Sequence, residues 1–125
     1  MIDNADEEVK VIRPFGPSIA RVKIPDDLLK SLNNYVEETI LDKNKSKNLD
    51  HGKKLVGHVT QEFKLENNYI SSSGFNKFLS KSVYNWIKLS ENEEIKEFKL
   101  ISSWIVRQFQ NEYNPVHWHG GHISG

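Results

Sequence analysis

His117, His119 and His122 stand within six residues of one another in the stretch NEYNPVHWHGGHISG, residues 111–125, which holds three of the chain's five histidines. If the chain enters a β-strand at residues 115–118, the two-residue period sends His117 and His119 to one face and Trp118 to the other. Two imidazoles then lie about 6–7 Å apart at Cα, from a rise of roughly 3.3 Å per residue, and both reach one metal ion. Two imidazoles alone neither fix a geometry nor hold a divalent metal tightly, so at least one further ligand must come from elsewhere in the chain.

The elements that must position this stretch are legible in outline. Residues 1–8 read as a frayed, flexible tail and 9–12 as a first short strand, stopped by Pro14-Phe15-Gly16-Pro17. SIARVKI, residues 18–24, alternates Ala20, Val22 and Ile24 against Arg21 and Lys23, the pattern of a half-buried strand. Pro25-Asp26-Asp27 opens a helix whose apolar stripe is Leu28, Leu29, Leu32, Tyr35, Val36 and Ile40. The polar, lysine-rich DKNKSKNLDHG, residues 42–52, has no periodicity and predicts a mobile surface loop.

Alternation resumes over 54–65. Leu55, Val59, Phe63 and Leu65 fall on one side of this strand, and His58, Thr60, Glu62 and Lys64 on the polar side, which makes His58 solvent-facing. Gly57 inside it marks a bulge or a close backbone approach. ENNYISSSG predicts a turn with a serine from 71–73 as cap, and Phe75, Phe78, Leu79, Val83, Trp86 and Ile87 form the core-facing stripe of a second helix over 76–89. After a charged connector, KLISSWIVRQFQ at 99–110 is the most β-prone segment and is expected as a central strand antiparallel to the histidine strand. The order implies one α+β domain over residues 1–125, with helices packed on one side of a mainly antiparallel sheet.

Composition excludes several classes. Seventeen basic residues balance seventeen acidic ones without a basic cluster interleaved with aromatics, so nucleic acid is not an expected partner. No apolar run approaches the ~20 residues that cross a bilayer, and the start MIDNADEEVK is unlike a secretory signal; a cytoplasmic protein without membrane partners is expected. The absence of cysteine removes disulfides, thiolate metal sites and cysteine nucleophiles.

Ser103-Trp104 in a strand, the tyrosine-containing turn 111–114, and His117-Trp118-His119 followed by Ile123-Ser124-Gly125 together resemble the front half of an Fe(II)/2-oxoglutarate-dependent dioxygenase. The resemblance is to a branch of oxygenases of marine bacteria and their phages. KKLVGHVTQEF, residues 53–63, resembles that branch's segment of a leucine, a small residue and glycine leading into a strand that ends in glutamate and an aromatic. The resemblance spans about residues 24–125. It implies a double-stranded β-helix (jelly-roll), incomplete here, with backing helices, and a hydroxylase that uses Fe(II) and the co-substrate 2-oxoglutarate. His117 matches the proximal metal histidine. His119 stands where most of the superfamily has a carboxylate, and ligates as a further imidazole or stands behind a bound water.

The distal histidine and the basic residue that would clamp 2-oxoglutarate have no counterpart after Gly125. A truncated chain, catalytically incompetent alone and prone to self-association through an unpaired strand edge, is therefore expected. Trp104, Arg107, Tyr113 and His122 are pocket candidates by proximity in sequence, or else a packed aromatic and ordinary surface residues.

Two other classes stay open. H-x-H-x-x-H, His117 to His122, is the skeleton of metallo-β-lactamase-like zinc hydrolases, which want an aspartate where Gly121 stands. Cupins also use H-x-H but want a glycine where Asn111 stands. A histidine-bearing surface turn on a small non-catalytic binding or structural protein is the remaining possibility. The sequence does not name a substrate.

Overall fold

The computed structural model describes residues 9–52 and 57–125. The expected N-terminal tail lies outside the described residues, as do residues 54–56 of the strand expected over 54–65. The architecture is mixed α+β, with four helices and two small antiparallel sheets among the described residues. No helix is long and apolar enough to cross a membrane. Packing divides the chain into two compact units, Met1–Ser31 with Ile70–Lys99, and Leu32–Tyr69 with Leu100–Gly125.

In the first unit, β1 (Lys10–Ile12) and β2 (Ile19–Arg21) form a hairpin with Val11 opposite Ala20. Pro14 and Pro17 stop the strands, and Gly16 at φ 126° supplies a backbone angle that L side chains rarely adopt. The expected alternation of Ala20, Val22 and Ile24 holds, although only three residues of the segment pair. Against β1 lies α4 (Phe75–Glu91). The Trp86 indole N–H donates to Ser18 Oγ at 2.9 Å, and Arg13 donates to the Ser90 carbonyl at 2.8 Å and to Glu91 at 2.7 Å. Gly74 enters the helix in the left-handed region, Ser73 Oγ accepts the Phe75 N–H, and left-handed Asn92 ends it by donating to the Lys88 carbonyl.

α1 (Asp26–Leu41) starts in the first unit, with Leu28 buried, and runs into the second, where Tyr35, Val36 and Thr39 are buried. Thr39 was not part of the apolar stripe, yet it is fully enclosed because its hydroxyl donates to the Tyr35 carbonyl one turn back. The loop expected over 42–52 is instead largely a helix, α2 (Lys43–Leu49). Asp42 caps it, accepting the N–H groups of Asn44 and Lys45. Lys45 holds it down, with Nζ 2.9 Å from Glu66 and 4.4 Å from the centre of the Tyr35 ring. The expected turn at 66–74 likewise contains a short helix, α3 (Asn67–Ser72), whose Tyr69 stacks on Tyr35 at 4.1 Å.

β3 (Gln61–Lys64) pairs antiparallel with β4 (Trp104–Arg107), Lys64 opposite Trp104 and Glu62 opposite Val106. Both strands are four residues long, shorter than expected, and β4 pairs with β3 rather than with a histidine strand. No strand is assigned over 115–125: Pro115 and Gly120-Gly121, the latter with φ 107° at Gly121, interrupt the extended backbone a ladder requires. Facing pairs share a side of the sheet, so Phe63, Ile105, Gln61 and Arg107 lie on one face and Glu62, Lys64, Trp104 and Val106 on the other. From the first face Arg107 reaches Glu37 of α1 at 3.0 Å. Phe63 and Leu65 join Tyr35 and Val36 among the buried hydrophobics.

Candidate metal centre

The histidine stretch is lashed in place before it begins. His58 and Tyr113 exchange both backbone hydrogen bonds, at 2.9 and 3.0 Å, with His58 exposed as expected. Gly57 lies so close that a Cβ there would stand 2.5 Å from the Tyr113 carbonyl and 2.8 Å from Pro115 Cδ, the close approach its place in the segment predicted. The Glu112 carboxylate accepts the Thr60 N–H at 3.1 Å, the Thr60 hydroxyl and the Phe109 N–H at 2.9 Å. Those bonds, Thr60's first, hold its carboxyl below the usual carboxylate range.

From this anchor the Pro115 carbonyl accepts the Nδ1–H of His117 at 2.7 Å. A carbonyl can only accept, so the proton of a neutral His117 ring sits on Nδ1 and the lone pair on Nε2. That lone pair accepts the Nε2–H of His119 at 2.6 Å, with ring centres 4.7 Å apart. The shared face that sequence spacing assigned to a strand is thus reached without one.

His119 packs on Trp104, ring centres 5.2 Å apart, and His51 is also in contact with the Trp104 ring, at 5.8 Å. His51 is placed by its backbone, which donates to the Glu62 carbonyl at 2.9 Å while Asp50 bridges to Phe63. Gly52 follows, and a Cβ there would be 4.0 Å from that of Glu62.

Glu62 departs furthest from expectation. On the polar side of its strand it should face solvent, yet it is 1 % exposed, and neither carboxylate oxygen has a hydrogen-bond partner among the described residues. Its neighbour His51 has a buried Nδ1 in the same condition. Burial pushes the Glu62 carboxyl up; the nearby His51 and His117 imidazoles oppose that rise, and Asp50 adds to it. Neither Glu62 nor His51 was picked out from the sequence as a site residue. The one available sign was the resemblance of the 53–63 segment to a strand ending in glutamate and an aromatic.

The structure therefore brings together His117, His119 and Trp104 of the expected set. Arg107 lies on the opposite face of the sheet from Trp104, paired with Glu37. Tyr113 serves the bridge to His58 through its backbone, with the residue 57 % exposed. His122 is exposed, and among the described residues no hydrogen bond or ring contact joins it to His117 or His119. As the side chains stand, no three His, Asp or Glu groups among the described residues are gathered closely enough to hold a metal ion. Comparison with family models, curated proteins and solved structures gives no match.

Proposed function

We propose that this chain carries the first metal-binding segment of a non-haem Fe(II)/2-oxoglutarate-dependent oxygenase, with His117 and His119 as donors to the metal. The β3–β4 pair would belong to the major sheet of a double-stranded β-helix backed by helices. The observation that supports this reading is the convergence of two Nε2 atoms while His117 Nδ1 is tied to a backbone carbonyl. A hydrogen bond from ring nitrogen to backbone carbonyl fixes the His117 tautomer and leaves its other nitrogen for a metal.

The donor set fits a divalent first-row metal. Two imidazoles bound at about 2.0–2.1 Å stand roughly 2.9–3.4 Å apart for right-angled to tetrahedral geometry, so their nitrogens must open by about 0.3–0.8 Å as the proton between them leaves. Iron, when bound, would supply oxidative decarboxylation of 2-oxoglutarate coupled to hydroxylation of a C–H bond. The chain's own residues do the rest: the Pro115 carbonyl sets the His117 tautomer, Trp104 braces His119, and the Glu112–Thr60 contacts keep the segment registered on the 57–60 backbone.

Anaerobic calorimetric titration with Fe(II) tests the reading. One equivalent should bind, and H117A or H119A should weaken binding by at least about tenfold while H122A leaves it intact. Loss of affinity through His122 alone would favour the zinc-hydrolase skeleton. No affinity in the wild-type chain would favour a non-catalytic binding protein.

A further inference from the structure

We propose that Glu62 supplies a carboxylate to the same metal centre, with His51 beside it, so that the cation is held between β3 and the histidine stretch. The proposal rests on the metal reading above and deepens it. Its basis is two neighbouring orphaned groups. A carboxylate that is 1 % exposed with both oxygens unpartnered among the described residues is costly to keep, because buried charges persist where they are paired or bind a metal. The His51 Nδ1 is buried and unpartnered as well, and the two residues are tied directly through the His51 N–H and the Glu62 carbonyl.

Their placement points at the histidines. Glu62 shares a sheet face with Trp104, and both His51 and His119 are in ring contact with Trp104. His117 in turn meets His119, the two Nε2 atoms 2.6 Å apart. The described cluster thus offers one carboxylate and three imidazoles, a donor set suited to a divalent first-row metal. Because these groups are not gathered at ligand distance as they stand, the ion must draw them together. Binding should then tighten the segment along with the affinity.

Cobalt(II) is the probe, because its visible absorption reports the ligand set independently of any turnover. The wild-type chain, E62Q, E62D, H51Q and H117A are titrated under inert gas, and each is checked for cooperative melting by circular dichroism. We expect E62Q to weaken Co(II) binding by about 10–100-fold and shift the visible band, and H51Q to weaken it less. E62D, which keeps the charge on a shorter arm, should retain part of the affinity. A folded E62Q and a folded E62D that both bind Co(II) with wild-type affinity and spectrum, while H117A does not bind, would overturn this proposal and leave the histidine reading standing. A wild-type chain that binds no Co(II) would overturn both.

Discussion

In the unit formed by Met1–Ser31 and Ile70–Lys99, the polar side chains drawn into the packing find partners: Ser82 donates to the Phe78 carbonyl, and the Trp86 indole to Ser18. The unit formed by Leu32–Tyr69 and Leu100–Gly125 does the same around Tyr35 and Thr39, but not beside its sheet. His51 Nδ1, Gln61 Oε1, both Glu62 oxygens, Ser103 Oγ and Asn114 Oδ1 are buried without a partner, and every such atom among the described residues belongs to this unit. Each unsatisfied group costs about 1–3 kcal/mol, so a concentration of them marks a region shaped by something other than stability. By this measure the first unit is scaffold, and the second is where the proposed metal centre lies.

Substitutions should separate the two. L28A removes a buried leucine, 8 % exposed, from the scaffold unit and should destabilise the protein by about 2–4 kcal/mol in urea titrations. The metal affinity of the folded fraction should be unchanged, and a parallel loss of affinity would break the division. E62M should do the reverse: it replaces an orphaned carboxylate by an apolar chain of similar length. The metal-free protein should gain about 1–3 kcal/mol, while the stabilisation that added metal confers disappears. W86F removes one satisfied hydrogen bond from the scaffold and should cost about 0.5–1.5 kcal/mol without touching the metal titration.

The smallest effect is expected at the Lys45–Glu66 pair. The Lys45 hydrogen bond, then that of Tyr35, hold the Glu66 carboxyl below its usual range, so its contribution is present above about pH 4.3 and is lost as pH falls through the folded-state value. With the two side chains 28 % and 45 % exposed, E66Q should cost at most about 0.5–1 kcal/mol at pH 7 and nothing in strong acid. Paired thermal melts at both pH values check it.

Where an element is held by its own pattern, the sequence reveals it. The helices α1 and α4, the two short strands either side of Pro14 and Pro17, and the close approach at Gly57 follow from periodicity and backbone restriction, although Leu29 of the α1 stripe is 44 % exposed. α2 has no apolar face to display; its helix depends on the Asp42 cap and on Lys45 meeting Tyr35 and Glu66 from distant parts of the chain. α3 is six residues long and leans on Tyr69 stacked against Tyr35. Both read as loops for that reason.

At the site, spacing alone joined His117 to His119, although a carbonyl and a tryptophan rather than a strand bring the rings together. Alternation assigned Glu62 to the polar side. It carries no information that residues 50–52 return to run beside β3, so the burial of Glu62 and the nearness of His51 become visible only in three dimensions.

The central claim is that His117 and His119 present their Nε2 atoms to one metal. Long-range ¹H–¹⁵N spectra of the imidazole rings, recorded as Zn(II) is added to the ¹⁵N-labelled chain, test it at the atoms concerned. The account predicts that the Nε2 signals of both rings move together and are complete at one equivalent, while His117 Nδ1 keeps its proton and its bond to Pro115. Unmoved Nε2 signals, or a response at His122 alone, would contradict it.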